Sequence, residues 1–338
     1  MYKGRLALKR RALLGTSAAA VGALLAFPLS AWARDAGRYP TKAITFIIGF
    51  PPGSGSDSFA RLLAKHVSSM LGVSVVVDNR PGLSTMLAAR EVAKMQPGDG
   101  YKLFMGNNSL WMVQPVIERK PGYSFDDFDH LMMLGETPYV LVARPNRGWK
   151  TLADLVAEAK RRPGSINFGS TGAGGTLHLV VERLMEVTGM KLTHIPYKGP
   201  PQALTDLLGG QIDLLFDSVP SSLEMLRSGR LHALAISTRE RFAGLPDVPT
   251  VAEQGYPGFS MYGWWSLETP AGTPPAVLDT LTSVFAKVLA SDEVKTYFHD
   301  RALLSVPSTR EHLLERIATE GPMYRSLLER LKIKPQSA

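Results

Sequence analysis

The stretch NFGSTGAGGTLHL (residues 167–179) has the form of a strand end, a glycine-rich loop and a helix start. From Gly169 to Thr176 it matches the phosphate loop of nucleotide hydrolases at every fixed position but one, because Gly175 stands in place of lysine. A triphosphate needs a compact cation near its terminal phosphates, and glycine supplies none. A carboxylate spreads one charge over two oxygens, so a few N–H donors and a hydroxyl satisfy it without lysine. The loop therefore predicts a carboxylate cradle.

A second glycine-rich loop lies earlier in the chain, within FPPGSGSD (residues 50–57), and again connects a buried strand to a helix. Its glycines, Gly53 and Gly55, free the backbone for close approach to a ligand. Its polar side chains suit helix caps or ligand contacts; they belong to Ser54, Ser56 and Asp57. Two such loops that face each other across a cleft predict a clamp for a small acid with one or two carboxylates.

Strand-like and helix-like segments alternate along the chain, beginning with the apolar run AITFIIGF (residues 43–50). This alternation predicts an α/β fold built from parallel βαβ units. Two runs of such units are separated by FDDFDHLMMLGETPY (residues 125–139), and segment 274–331 is predicted to be helical throughout. In open α/β sheets ligands bind at the carboxyl ends of strands and at helix N-termini, so each run predicts half of a binding site.

Residues 1–33 have the pattern of a secretory signal peptide: a basic start, an apolar run and the small-residue site AWA at its end. The pattern predicts cleavage after Ala33 and a periplasmic mature protein. A transmembrane anchor is the alternative, but two glycines and a proline interrupt the run, which is short for a span of about 20 residues. The pair Arg10-Arg11 leaves both twin-arginine and general secretory export open.

Composition narrows the classes of partner and chemistry. The whole chain has a net charge of +8, from 38 basic and 30 acidic residues, but five basic and no acidic residues precede Ala33, so the mature chain is only +3. Nucleic acid is therefore not expected as a partner. The chain has no cysteine, which excludes disulfides, thiolate metal sites and a cysteine nucleophile. No cofactor or metal is expected: His178 and Glu182 share a helix face, but no second histidine is spaced to join them.

These segments together resemble the extracytoplasmic solute receptors of tripartite tricarboxylate transporters, the Bug proteins, over nearly the whole mature chain. The motifs that carry the resemblance are residues 39–57, 167–179, 194–218, 229–238, 245–259 and 270–281. The resemblance implies a two-lobed periplasmic binding protein, type 2-like, in which each lobe is a βα sheet sandwich and crossing strands form the hinge. Residues 34–137 with 258–338 would form the first lobe, and residues 138–257 the second.

The resemblance also implies a function: capture of a small carboxylate between the lobes and its delivery to the membrane subunits of a transporter, without catalysis and as a monomer. Ligand contacts are implied at Gly53, Ser54, Gly55, Ser56, Asp57 and Asn107 in the first lobe, and at Ser170, Thr171, Gly174, Gly175, Thr176, His178, Tyr197, Asp217 and Ser218 in the second.

Three further expectations concern single residues of this site. Asp217 should contact a hydroxyl or amine of the ligand, or orient a water, because a carboxylate repels a carboxylate. Gly175 should bring the backbone close to the ligand, and a positive φ is one reason for glycine there. Glu268 departs from the family pattern, and a carboxylate near the pocket mouth would disfavour a second charge on the ligand.

A secreted hydrolase or lyase acting on a small acid or ester is the alternative reading. Ser170 or Thr171 would then be the nucleophile, which needs an adjacent base. The nearby candidate base is His178, and Glu182 is its available orienting acid. No recognised catalytic motif accompanies these residues, so a binding protein is the favoured reading.

Overall fold

The computed structural model describes residues 39–332 except 119, 171, 173 and 198. The predicted signal peptide, its cleavage site and the arginine pair lie outside the described residues, as does Thr171. Residues from Lys42 onward belong to one compact unit. In the described part of the chain, none of the helices combines the length and the apolar character that crossing a bilayer requires.

Within the described residues, nine strands form the framework, and most coincide with short apolar runs of the sequence. They are β1 (Ile44–Ile48), β2 (Val75–Asn79), β3 (Lys102–Asn107), β4 (Phe128–Ala143), β5 (Asn167–Ser170), β6 (Thr193–Pro196), β7 (Leu214–Ser218), β8 (His232–Ile236) and β9 (Tyr262–Pro270). Their order in the sheet is β2-β1-β3-β9-β4-β7-β5-β6, and β8 also pairs with β4. The predicted parallel βαβ units are present, since β1 pairs in parallel with β2 and β3, and β5 with β6 and β7.

The described helices cover the strands. They are α1 (Gly55–Leu71), α2 (Met86–Val92), α3 (Gln114–Ile117), α4 (Leu152–Arg161), α5 (Thr176–Thr188), α6 (Pro200–Gly209), α7 (Val219–Arg227), α8 (Pro275–Leu289), α9 (Asp292–Asp300) and α10 (Arg310–Arg330). The prediction of continuous helix over 274–331 is wrong, because residues 301–309 form a non-helical connection between α9 and α10. Leu304 in that connection instead exchanges backbone hydrogen bonds with Glu136 of β4.

The first part of the 16-residue strand β4 was not evident from the sequence, which marked residues 125–139 as a separator between the two runs of βα units. Gly135 and Pro138 interrupt its strand pattern, and its pairing with β9 shifts register between His130 and Met132 and again between Met133 and Gly135. Such bulges bend a strand and change the side-chain alternation on which recognition depends. The first part of β4 pairs with β9, whereas Tyr139–Ala143 pairs with β7.

Strand register places the two halves of the sheet face to face. Asn107 at the end of β3 is aligned, through Trp265 of β9, with Gly135 of β4. Ser218 at the end of β7 is aligned with Tyr139. Strand β3 runs in the direction of β4 and β7 runs against it, so their carboxyl ends point toward each other. The positions on β4 that are aligned with Asn107 and Ser218 are four residues apart, which corresponds to about 13 Å at 3.3 Å per residue.

Candidate functional site

Two sets of loops follow these facing strand ends, and each set forms one edge of the candidate site. The first edge comprises the carboxyl ends of β1–β3 with the first loop, residues 49–54, and the start of α1. The second edge comprises the carboxyl ends of β5–β7 with the second loop, residues 171–175, and the starts of α5 and α7. Every predicted ligand residue in the described part of the chain lies at one of these two edges. The structure therefore brings together what the sequence predicted as two half-sites.

In the first loop, Ser54 and Asp57 organise the backbone. The Ser54 hydroxyl caps α1 by accepting the Asp57 N–H at 3.2 Å. The buried Asp57 carboxylate accepts the Gly53 N–H at 2.9 Å, an amide of Asn79 at 2.8 Å and Nε of Arg61 at 3.0 Å. Burial alone would raise the pKa of Asp57, but the hydrogen bonds from Arg61, Asn79 and Gly53 hold it below its usual range. Asp57 thus serves as an internal support of the loop.

The remainder of the first loop is open. A Cβ added at Gly53 or Gly55 would meet no atom within 4 Å, and Gly53 has a φ of +79°. The Ser56 hydroxyl, at the base of this opening, accepts Nε1–H of Trp265 at 3.0 Å. The indole of Trp265 in turn packs against Phe59, with ring centroids 5.6 Å apart. The Ser56 side chain is thereby held by a residue of strand β9.

Asn107 lies at the predicted place, at the end of β3, but its side chain is engaged within the chain. Its Oδ1 accepts the Leu110 N–H at 2.9 Å, and its Nδ2 donates to Thr85 Oγ1 at 2.9 Å. Thr85 is buried and has a φ of +80°, which a β-branched residue rarely adopts. Asn107 therefore holds the Thr85 turn against the first edge. No sequence pattern had indicated a role for Thr85 at the site.

The start of α5 provides the clearest group of free donors at the second edge. Its N-cap is Gly175, and no side chain caps the helix. An uncapped first turn leaves backbone N–H groups directed out of the helix with the positive end of its dipole. Gly175 has φ −69°, so the suggestion of a positive φ there is wrong; that conformation occurs at Gly174, with φ +75°. Thr176 begins the helix and is partly exposed.

His178 faces back into the second loop and uses both ring nitrogens. Nδ1 accepts the Gly174 N–H at 3.0 Å, and Nε2 lies 3.2 Å from Oε1 of Glu182, one turn along the helix as predicted. The ring is almost fully buried. Its nitrogens are thus committed inside the protein, which argues against a direct ligand contact.

Ser170 ends β5 in a fully buried position, which corrects the proposed role as a nucleophile. Its hydroxyl contacts Nε2 of His194 at 2.6 Å and the Gly172 carbonyl at 3.1 Å, whereas the sequence reading had paired it with His178. A hydroxyl with no exposed surface is not accessible to a substrate. Burial, and then the neighbouring charge of His178, lower the pKa of His194 to about 4.

Three aromatic rings form a stack beneath the second loop. His194 lies 4.1 Å from the ring of His178 and 4.9 Å from that of Phe168, measured between centroids. His194 comes from β6, three residues before the predicted ligand residue Tyr197, and no sequence pattern connects it with Ser170. The parallel pairing of β5 with β6 is what joins them.

Tyr197 and Ser218 complete the second edge, with Asp217 behind them. The Tyr197 N–H donates to the Ser170 carbonyl at 2.9 Å. Burial, followed by the Asp206 carboxylate, raises the pKa of Tyr197 to about 12. A Cβ at Gly169 would lie 3.3 Å from the Tyr197 ring and 2.5 Å from Ile212, so this position requires glycine. Ser218 is the N-cap residue of α7, without a side-chain cap.

The expected contact of Asp217 with a ligand is corrected by its burial. The side chain has no exposed surface, and its two oxygens accept the Ser218 N–H at 2.8 Å and the Ser222 hydroxyl at 2.7 Å. Burial raises the pKa of Asp217, although hydrogen bonds from Ser221, Ser222 and Ser218 oppose this effect. Asp217 stabilises the turn into α7 from inside the protein.

Glu268 also lies elsewhere than expected. It pairs with Phe104 and His130, three positions along β9 from Trp265 and farther from the facing edges. It is completely buried, and its Oε2 accepts the Gly106 N–H at 2.9 Å. Glu268 is therefore part of the core beside the first edge, so it does not restrict the charge of a ligand at the pocket mouth.

The family model of the tripartite tricarboxylate transporter family receptor matches residues 59–329 of this chain. Among curated relatives, Protein BugT of Bordetella pertussis is 35% identical over 311 residues, which cover 91% of this chain and 93% of that protein. An Agrobacterium vitis protein encoded between ttuE and ttuC′ is 36% identical, covering 78% of this chain and 75% of its own.

Solved structures agree in fold. A Rhodopseudomonas palustris protein solved with adipate superimposes with a TM-score of 0.82 at 30% identity, covering 88% of this chain and all of that one. The periplasmic binding protein BugD gives a TM-score of 0.78 at 28% identity over 88% of this chain and all of that one. MatC of R. palustris, solved with bound malate, gives 0.76 at 27% identity over 86% of this chain and all of MatC.

Proposed function

The chain belongs to the receptor family of tripartite tricarboxylate transporters, a family of periplasmic solute receptors, and we propose that it captures a small carboxylate between its two facing edges. The observation that carries this proposal is the uncapped start of α5 at the second edge. The ends of β3 and β7 point toward each other about 13 Å apart along β4, which leaves room for a short acid such as adipate or malate, the molecules present in two similar structures.

The two loops contribute unequally to binding. At the second loop the first-turn N–H groups of α5 receive a carboxylate, together with the hydroxyls of Thr176 and Ser218. At the first loop Ser54 and Asp57 already occupy two N–H groups, so this side offers the open backbone at Gly53 and Gly55 and the fixed Ser56. The second loop is therefore the principal anion site, and the first loop selects the far end of the ligand.

The two edges belong to two lobes that close on the ligand. The division follows the pairing of β4, which passes from β9 to β7 at Pro138–Tyr139, close to the division at residues 137 and 138 expected from the sequence. The return crossing is β9, which begins at Tyr262. Residues 34–137 with 258–338 and residues 138–257 are thus the proposed lobes. Closure would desolvate the loop donors and strengthen their hydrogen bonds.

Delivery to the membrane subunits of a tripartite tricarboxylate-type transporter is the proposed role, with the receptor acting as an exported monomer and without catalysis. The family match supports this partner. The burial of Ser170 supports binding without turnover, because the hydroxyl nearest to a histidine has no access to a substrate.

Calorimetric titration with adipate and malate tests the proposal directly. The protein is first unfolded and refolded to remove retained acids, and adipamide, the uncharged analogue of adipate, is the matched control. We expect at least one acid to bind and adipamide not to bind, because the site recognises the carboxylate charge. Equal binding of adipate and adipamide, or an absence of binding across a wider panel of di- and tricarboxylates, would contradict the proposal.

A further inference from the structure

The position of the second loop relative to helix α5 depends on a side-chain acceptor, the Nδ1 lone pair of His178. The loop turns through Gly172 and Gly174, with φ values of +113° and +75°. Three described hydrogen bonds hold it. The Gly172 carbonyl accepts the Gly175 N–H at 3.2 Å and the Ser170 hydroxyl at 3.1 Å, and His178 Nδ1 accepts the Gly174 N–H at 3.0 Å. The bond to His178 joins the loop to the first turn of α5. It therefore sets how Gly174 and Gly175 lie against the start of the helix.

The contacts define the tautomer of His178. An acceptor at Nδ1 must be unprotonated, so the proton of the neutral ring is on Nε2, which faces Oε1 of Glu182 at 3.2 Å. The ring stacks on His194 with an interplanar angle of 27° and lies parallel to the ring of Phe168, 6.0 Å away between centroids, with an interplanar angle of 9°. Stacking and the two polar contacts together fix its orientation.

We propose that His178 is a positioning residue, which shapes the carboxylate site through the Gly174 N–H without touching the ligand, and that Glu182 selects the required tautomer. A side chain without an acceptor at this position would release the Gly174 N–H, and carboxylate binding should then weaken. This inference uses the proposed function for its binding readout and the ligand-free protein for its structural readout.

The charged surroundings of His178 fix the expected direction of each variant. Glu182 faces it from its own helix and His194 from β6; Asp217 on β7 is satisfied by serines, and Arg330 on α10 pairs with Glu186. The carboxylate of Glu182 accepts the Nε2 proton, which leaves the Nδ1 lone pair free for the Gly174 N–H. Glu182→Gln removes this selection, because its amide can donate or accept, and should weaken adipate or malate binding less than loss of the acceptor itself.

Two replacements at His178 separate the acceptor from the shape of the ring. His178→Phe keeps the stack with Phe168 and His194 but has no acceptor. His178→Asn keeps an oxygen acceptor near the position of Nδ1 and does not titrate. The first is expected to weaken adipate or malate binding at pH 7.5 by about tenfold, the value for one lost hydrogen bond of 1.4 kcal/mol. The second is expected to bind these acids with an affinity near that of the wild type.

Hydrogen–deuterium exchange across residues 171–178 of the ligand-free protein tests the structural half at fixed pH. We expect faster exchange in His178→Phe and near wild-type exchange in His178→Asn. Unchanged exchange in His178→Phe, or acid binding as weak in His178→Asn as in His178→Phe, would overturn the positioning role. If neither acid binds the wild-type protein, the proposed function fails, while the exchange measurement still decides the role of His178.

Discussion

Asp57 and Asp217 are both buried carboxylates at strand-to-helix turns, yet their pKa values move in opposite directions. Burial raises both, but the guanidinium of Arg61 and the donors of Asn79 and Gly53 reverse the effect at Asp57. Asp217 has only neutral donors, so burial prevails. A single charged neighbour thus decides whether the carboxylate stabilises the fold at neutral pH. Neither carboxylate is free to contact a ligand.

Replacement by asparagine should distinguish the two sites. At pH 7 Asp57→Asn is expected to lower the free energy of unfolding by about 1–3 kcal/mol, because it loses a charge-assisted contact with Arg61. The depressed pKa of Asp57 means that its contribution is present above the unfolded value and is lost as pH falls through the folded one. The penalty should therefore shrink in acid.

Asp217→Asn should cost less than about 1 kcal/mol at pH 7, since the amide oxygen keeps the Ser218 N–H and the Ser222 hydroxyl can rotate to accept. Because the folded pKa of Asp217 is raised, stability linked to its protonation is present below the unfolded value and lost as pH rises. Urea unfolding at pH 7 and pH 4 measures both variants. A larger loss at pH 7 for Asp217→Asn than for Asp57→Asn would contradict this account.

His194 gives a pH prediction of its own. Its folded pKa of about 4 lies below the unfolded value of about 6.5, so the unfolded state binds more protons between these limits and stability falls as pH decreases. Allowing for solvent screening of this half-buried ring, the loss between pH 7 and pH 5 should be about 1 kcal/mol. His194→Gln should remove that part of the slope. An unchanged slope in urea unfolding would exclude His194 as its source.

Gly174 and Gly175 should respond differently to alanine. Gly174→Ala places a side chain at φ +75°, which costs about 1–3 kcal/mol of folding stability. Gly175→Ala is compatible with its φ of −69°, so it should leave stability unchanged and weaken acid binding through the added methyl group. Thermal unfolding with calorimetry distinguishes these outcomes. Full acid affinity in Gly175→Lys, or a gain of nucleotide binding there, would contradict a carboxylate cradle.

At the scale of elements, α10 is joined to the hinge strands by a buried polar network. Arg316 contacts Glu136 of β4 and Glu320 of its own helix, and the second oxygen of Glu320 accepts Nε1–H of Trp264 on β9 at 3.2 Å. Burial raises the pKa of Glu136, and Arg316 opposes that rise. The helix therefore holds β4 and β9 at the place where the chain crosses between the proposed lobes.

Arg316→Met should destabilise the protein by about 3–5 kcal/mol at pH 7, because it leaves Glu136 buried without its partner. Adding Glu136→Gln should recover much of the loss. Because the pKa of Glu136 is raised, Arg316→Met should lose less stability at pH 5 than at pH 7, since protonation of Glu136 removes the unpaired charge. The wild type, Arg316→Met, Glu136→Gln and the double variant form a double-mutant cycle, which urea unfolding measures. A double variant that is no more stable than Arg316→Met would show that the pair does not carry the effect.

At the scale of the whole molecule, local signals were enough for the βα units but not for the parts that join them. The Ser54 cap of α1 could be predicted because capping depends on adjacent residues. The first part of strand β4 was missed because its bulges and Gly135 interrupt the pattern. The contact between Ser170 and His194 could not be predicted from residue types, since it arises from the pairing of two strands 24 residues apart in the chain.

The same distinction between local patterns and contacts distant in the chain explains which parts of the candidate site could be predicted. The sequence located both loops, because glycine and hydroxyl residues between a strand and a helix are a local pattern. It did not show which side chains face the cleft: Asp57, Asn107, His178 and Asp217 all point into the protein and support the loops. Burial and hydrogen bonding decide that question, and both depend on residues distant in the chain.

A crystal structure of the protein with adipate or malate tests the central claim most directly. We expect the carboxylate to lie between the two edges, with an oxygen about 3 Å from first-turn N–H groups of α5 and no contact with the His178 ring. The other end of the acid should approach the open backbone at Gly53 and Gly55. An acid bound elsewhere on the protein, or one held at the facing edges by side-chain cations with the first turn of α5 left unused, would contradict the account.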